Sequence, residues 1–168
     1  MKKSNRKSQE PMIRKFRPDD LESIVKIERE SFKTPWPGVM FERVYRMYPD
    51  GFKVATKNSE VVGYAVARVE LRGEEKTRQV GHLMDLAVKK ENRRRGIGSS
   101  LLETIESYLG ENGVKELFLE VRTDNRGAIE FYNKQQIKKI GRVRGYYPDD
   151  TDAYIMKKDI SPFKMKNT

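Results

Sequence analysis

Apolar and polar residues follow two rhythms along this chain, and the switches between them mark its elements. "MIRKF" (12–16) alternates with period two and predicts a first strand. Pro18 then opens a helix. Asp19 and Asp20 suit the positive end of its dipole, and Leu21, Ile24, Val25 and Phe32 supply its apolar stripe. Pro35 and Pro37 interrupt, and a second short helix is predicted from about Val39 to Met47. "FKVAT" and "EVVGYAVARVEL" alternate again and are joined by the turn "KNSE", which predicts a hairpin. The polar loop "RGEEKT" leads into another strand, "QVGHLMDLAVKK". The strongest helical period covers 96–110, where Ile97, Leu101, Leu102, Ile105 and Leu109 share one face and Gly110 and Gly113 end the pattern.

Alternation returns in "VKELFLEVRTDN". Leu117, Leu119 and Val121 take one face, so Phe118, Glu120 and Arg122 take the other. Asn125 is placed to cap a short helix in "RGAIEFYNKQQ", and "IKKIGRVRGYY" and "DAYIMKK" read as two closing strands. The order β-α-α-β-β-β-α-β-α-β-β predicts an α/β fold around a mixed sheet. Within it, strand 79–89, helix 96–110 and strand 114–122 form one βαβ unit, which pairs parallel strands through a right-handed crossover.

Composition narrows the possibilities. A chain of 168 residues suits one domain, and 36% hydrophobic with 36% charged residues suits a soluble protein with a heavily charged surface. No run approaches the roughly 18 apolar residues of a membrane span, and "MKKSNRKSQEP" lacks the apolar centre of a signal peptide, so a cytoplasmic protein without a membrane partner is expected. The absence of cysteine excludes disulfides, thiolate metal sites and a cysteine nucleophile. The net charge of +10 leaves RNA, the ribosome and phosphorylated cofactors open as partners. Lys2, Lys3, Arg6 and Lys7 put part of it in a flexible tail, 1–11, ahead of a domain over 12–159 and a second tail, 160–168.

The candidate chemistry gathers around "ENRRRGIGSSLL" (91–102), where a strand hands over to a helix. Unpaired N–H groups and the positive end of the dipole meet there, and Gly96 and Gly98 let an anion's oxygens approach the backbone. The spacing fits neither a P-loop nor a dinucleotide fingerprint, since position 101 is Leu and the Gly-Lys pair is missing. Two readings stay open on this motif alone, a solvated basic turn and an anion cradle. Glu120, on the face opposite a buried stripe, is a candidate base or a surface carboxylate. His82 is the only histidine, and with Glu120 it offers at most two metal ligands, so no metal is expected.

From Gln79 to Met156 the chain resembles the GNAT acetyltransferase superfamily, whose motif [Q/R]-x-x-G-x-[G/A] reads Arg93-Arg94-Arg95-Gly96-Ile97-Gly98 here. "GHLMDLAV", "LFLEVRTDNRGAIEFY" and "GYYPDDTDAYIM" are similar to the protein N-terminal acetyltransferases, both the RimI type acting on ribosomal proteins and its archaeal and eukaryotic nascent-chain relatives. "IERESFKTPWP" resembles their first substrate loop. The last motif often reads G-Y-Y-x-D-G-E-D-A-x-x-M, from which Asp150 and Thr151 depart.

The resemblance implies a GNAT fold, with a mixed sheet whose parallel fourth and fifth strands splay apart between flanking helices. It implies acetyl-CoA as co-substrate. Leu86, Ala87 and Val88 would hold the pantetheine, and the turn Arg93, Arg94, Arg95, Gly96, Ile97, Gly98 and Ser99 the phosphates, with Asn125 on the pantetheine arm. Glu120 would be the base, with His82 either a relay partner or a structural residue. Tyr132 would protonate the leaving thiolate, and a backbone N–H of 84–88 would meet the oxyanion. Met84, Trp36, Tyr146 and Tyr147 would line the peptide groove; the aromatic three read equally as packing. The implied reaction is direct transfer in a ternary complex to the α-amino group of ribosomal proteins or nascent chains, with the ribosome a further contact for the basic surface. Acetylation of lysine or small amines, and a non-catalytic RNA- or ribosome-binding module, are the alternatives. The Tyr-rich loop argues against the first. The absence of an RNA-stacking motif and the acidic set Glu120, Asp149 and Asp152 argue against the second, and no specific nucleic acid is expected.

Overall fold

The structure, a computed structural model, describes residues 10–160. The two predicted tails lie outside the described residues, apart from Glu10, Pro11 and Ile160. Ile160 is buried and its N–H donates to the Lys115 carbonyl at 2.9 Å, so the domain runs one residue past the expected boundary.

Seven strands form one sheet in the order β1-β2-β3-β4-β5-β7-β6. These are β1 (Met12–Lys15), β2 (Phe52–Lys57), β3 (Glu60–Arg72), β4 (Arg78–Val88), β5 (Glu116–Arg122), β6 (Lys138–Val143) and β7 (Ala153–Asp159). Four helices complete the predicted order: α1 (Leu21–Ser31), α2 (Gly38–Met47), α3 (Ile97–Glu111) and α4 (Arg126–Lys134). Every pairing is antiparallel except β4 with β5, the pair joined through α3.

The sheet is packed on both faces, and each face has its own core. On one, the α3 stripe Ile97, Leu101, Leu102, Ile105 and Leu109 meets Ala65, Ala67, Leu83, Leu117, Leu119 and Val121. Each such side chain stabilises the fold by about 1.5–3 kcal/mol relative to exposure. On the other, Ile24 and Ile27 of α1 and Phe41 and Val44 of α2 pack on Phe52, Val54, Tyr64, Val66 and Ala87. In α1 the buried stripe is centred on Ile24, Ile27 and Glu28, while Leu21, Val25 and Phe32 flank it. Gly110 lies inside α3 instead of ending it; Gly113, at φ +76°, makes the turn that follows. Asp20 does more than favour a dipole, for its carboxylate takes both Arg14 guanidinium nitrogens at 2.7 and 2.8 Å and the Arg17 N–H.

Two irregularities create the site. A bulge between β3 and β4 pairs Val66 with Asp85 but Ala67 with Leu83, leaving Met84 as the extra residue. Between β4 and β5 only Gly81–Leu117 and His82–Phe118 pair, although both strands continue. Past His82 the two strands therefore diverge and open a cleft, as expected of splayed strands four and five.

Candidate active site

The basic turn caps α3 at the open end of the β4–β5 crossover. Gly96 is the N-cap at φ +81°, and a Cβ there would meet nothing within 4 Å, so its role is conformational. The first helical bond runs from Ser100 N–H to Gly96 C=O, which leaves the N–H groups of Ile97, Gly98 and Ser99 for an outside acceptor. Gly98 has a different reason. A Cβ there would lie 3.2 Å from the Phe131 ring, so its missing side chain makes room for α4 against α3 before any phosphate is considered. Of the three arginines, Arg93 is turned inward to the scaffold: Nε donates to the Val88 carbonyl at 2.7 Å and the guanidinium to Ser31 Oγ at 3.1 Å. All three arginines keep exposed surface. The Asn125 side chain accepts from Ala128 N–H at 3.1 Å and so caps α4, and Ser99 Oγ accepts from Gln135.

At the mouth of the cleft stands a row of three ionisable side chains from three adjacent strands. His82 Nδ1 lies 2.8 Å from Glu70 Oε1, and His82 Nε2 lies 2.6 Å from Glu120 Oε2. Their side chains keep only 12–18% exposure, low enough to strengthen the contacts and high enough for a substrate to reach them. The imidazole stacks on Phe118 at 4.4 Å between centroids, which fixes its plane. Burial alone would raise the Glu70 carboxyl above its usual range. Hydrogen bonds from Arg68 (2.7 Å) and His82 outweigh that, so Glu70 is held as a carboxylate. Arg72 adds a longer contact at 3.3 Å and lies over the Phe118 ring.

Deeper, on the α1 side, lies a second acidic group without a cation. The buried Tyr64 hydroxyl bonds Glu28, and Asp85 lies 3.2 Å from the same hydroxyl. Glu28 also accepts the Trp36 N–H at 2.8 Å, tying the loop before α2 to the sheet. Burial raises both carboxyls, Asp85 far above the usual range because the Glu28 charge adds to it, so one proton is shared between them. The Asp85 charge is felt by Tyr132, whose hydroxyl is pushed up mainly by burial, and by Tyr147. Tyr147 in turn feels Glu120 and Arg122, so charge links the outer row to the inner group.

The 144–152 loop is braced from β5 and β6. Arg122 reaches Asp149 at 2.5 Å and Asp124 at 3.1 Å and lies over the Tyr147 ring, which packs edge-on to Tyr146. Asp152 accepts the Gly145 N–H at 2.9 Å and the Arg142 guanidinium. Asp149 and Asp152 are therefore loop braces with cationic partners, not an acidic cluster with Glu120 as the sequence suggested. Asp150 stands where the related motif has glycine and takes φ +65°, a left-handed conformation that aspartate tolerates better than most residues. Trp36 is half-buried and tilts against Phe41, so it packs.

Sequence reasoning missed Glu70, Glu28, Tyr64 and Asp85. A signal existed for Glu28, which falls four residues after Ile24 on the apolar face of α1. Among the described residues no group of three or more His, Asp or Glu is arranged to hold a metal ion, and no helix is long and apolar enough to cross a membrane.

A parallel pair splayed around a bulged strand, with an anion turn at the following helix, places the chain in a class. Residues 21–136 match the acetyltransferase (GNAT) family, and the chain belongs to it. Several relatives are named for N-alpha-acetylation. It is 36% identical over 151 residues to the N-alpha-acetyltransferase of Saccharolobus solfataricus, covering 86% of this chain and 90% of that one. It is 32% identical over 145 residues to the [ribosomal protein bS18]-alanine N-acetyltransferase of Escherichia coli, covering 84% and 93%. Among solved structures, Ard1 from Thermoplasma volcanium superposes with TM-score 0.83 at 31% identity, covering 90% of this chain and 98% of that one. Naa20 of Chaetomium thermophilum, in complex with a bisubstrate analogue, gives TM-score 0.81 at 27% identity, covering 89% and 86%.

Proposed function

We propose that this protein transfers the acetyl group of acetyl-CoA to the N-terminal α-amino group of proteins by direct attack in a ternary complex. The observation that carries this reading is the Glu120–His82 contact at the mouth of the β4–β5 cleft, on the same crossover as the α3 anion turn. The N–H groups of Ile97, Gly98 and Ser99, with Arg94 and Arg95 beside them, receive the phosphates. Leu86, Ala87 and Val88 flank the pantetheine along the free side of β4, and Asn125 sits across from it.

The peptide's amino terminus enters between the Trp36 loop and Tyr146–Tyr147, past Met84, and reaches Glu120. An α-ammonium has a pKa of about 7.7–8.0, so a modest base suffices. Its proton passes to the Glu120–His82 pair, and the freed amine nitrogen bonds to the acetyl carbon. A backbone N–H of 84–88 stabilises the oxyanion. The carbon–sulfur bond then breaks, the thiolate takes the Tyr132 hydroxyl proton, and the second proton, shed by the nitrogen as the amide forms, restores the tyrosine hydroxyl. No acyl-enzyme is needed. The bS18 activity of the Escherichia coli relative and the +10 charge of this chain support a ribosomal or nascent substrate met in the cytoplasm, with the basic surface drawn to the ribosome.

The test is acetylation of a peptide library varied in its first two residues, alongside N-terminally blocked peptides carrying a lysine. Acetyl on the α-amine of the free peptides alone supports the reading. Transfer only to lysine in the blocked peptides overturns it.

A further inference from the structure

His82 has two ring nitrogens and both are engaged, so the partner of one decides what the other can do. The Nδ1 side faces Glu70, a carboxylate that already accepts from Arg68 on the same Oε1 atom. An ionised carboxylate has no proton to give, so Nδ1 must be the donor and carry hydrogen. The lone pair or second proton of the ring is thereby assigned to Nε2, the atom 2.6 Å from Glu120. A neutral imidazole with its bare Nε2 against a bare carboxylate would be two acceptors in contact. That pair of acceptors is a vacancy for one proton, which on arrival leaves an imidazolium flanked by Glu70 and Glu120, or a protonated Glu120 donating to Nε2.

We propose that Glu70 is a positioning residue for acetyl transfer, fixing His82 as the Nδ1–H tautomer so that Nε2 and Glu120 together capture the proton released by the substrate ammonium. This rests on the N-terminal acetyltransferase reading and extends it to a residue outside the cleft. The logic is that of an orienting carboxylate behind a catalytic histidine, where the wrong tautomer removes the base without disturbing the fold. Without Glu70 the ring is free to carry its hydrogen on Nε2. It would then donate to Glu120 with no vacancy for an incoming proton. The charges facing the row are Arg68 and Arg72 on β3, Glu120 on β5, and the Tyr146 and Tyr147 hydroxyls of the 144–152 loop, both of which feel the Glu120 charge. Arg68 is the counter-ion of Glu70 at 2.5 Å, which keeps the row from gathering excess negative charge.

Because His82 is the only histidine, ring-nitrogen NMR of the ¹⁵N-labelled whole chain reports its tautomer with no assignment problem. The wild-type neutral ring is expected to show hydrogen on Nδ1. Wild type with hydrogen on Nε2 overturns the proposal, and this arm depends on no variant folding. Glu70→Met removes the acceptor and is expected to move the hydrogen to Nε2 and lower kcat by ~10²-fold, in the range of a lost acid–base contribution. The acetyl-CoA thermal shift should stay unchanged. Glu70→Gln keeps a carbonyl on Nδ1 without the charge. It should retain the tautomer and recover part of kcat. A Glu70→Met protein that binds acetyl-CoA and turns over like wild type at every pH also overturns the proposal. Wild type that acetylates no peptide amine at all would instead defeat the parent reading, whatever the NMR shows.

Discussion

Two pairs of carboxylates, one across β3 and β5 and the other between α1 and β4, live by opposite rules. In the outer row, Glu70 and Glu120 have His82 between them and Arg68 behind. In the inner group, Glu28 and Asp85 meet at a tyrosine hydroxyl with no cation in contact. In the proposed reaction the outer row passes a proton, because His82 can take it up or hand it on while Arg68 balances Glu70. The inner pair can only keep one, because losing it would leave two negative charges in the core. What separates proton transfer from structural anchoring here is the histidine. The number of acids is the same.

The comparison breaks most directly at Glu120. Glu120→Gln keeps the shape and removes the acceptor, so kcat/KM should fall by about 10²–10⁴-fold. The loss should narrow above about pH 8 as free amine accumulates. Acetyl-CoA binding, followed by thermal shift, should hold. Full activity at every pH would move the base elsewhere, with His82 acting alone as the next residue to test.

Tyr64→Phe strikes the inner group instead. It removes the hydroxyl that bonds Glu28 and faces Asp85 and leaves buried acceptors unpaired, a loss of about 1–3 kcal/mol. For a domain of this size that lowers Tm by several degrees. Denaturant midpoints measure it. Since the hydroxyl also holds Glu28 for the Trp36 N–H, KM for peptide should rise while acetyl-CoA affinity stays fixed. A variant as stable as wild type would show that the inner group anchors nothing.

The elements and one face of the site were legible from the chain alone, and the reason is periodicity. Leu117, Leu119 and Val121 alternate strictly, so Glu120 was placed opposite them before any register was known, and the α3 stripe was readable in the same way. Glu70 was not legible. Along its own strand it alternates with Arg68 and Arg72 as a solvated face would. Its meeting with His82 depends on the bulge that shifts the β3–β4 register at Val66–Ala67, and no local pattern announces it. Gly98 shows the converse, a position found for a reason that is only part of the truth. The motif marked it as a phosphate approach, whereas its nearest constraint is the Phe131 ring 3.2 Å away. Gly98→Val therefore tests packing as well as binding.

The smallest expected effect is also the sharpest, because it predicts a sign. The Asp85 carboxyl is raised by burial and by the Glu28 charge, so between its unfolded value near 3.9 and its folded value the native state holds a proton the unfolded chain has released. Stability contributed by that group falls as pH rises through this window. Asp85→Asn cannot ionise, and its amide can donate to Glu28 as the shared proton did. It should match wild type near pH 4 and gain about 1 kcal/mol on it, a few degrees of Tm, as pH rises toward 8. Glu70 runs the other way. Its carboxyl is lowered by the Arg68 and His82 hydrogen bonds against the opposing effect of burial, so its contribution is present above about pH 4.3 and lost as pH falls through the folded value. Glu70→Gln should thus be the less stable protein at neutral pH and approach wild type in acid. Melting curves of wild type and both variants from pH 2 to 8 give two difference lines of opposite slope, the Asp85→Asn line changing above about pH 4 and the Glu70→Gln line below about pH 4.3. Parallel lines would mean that the two carboxylate groups do not differ in the way the histidine and arginine contacts require.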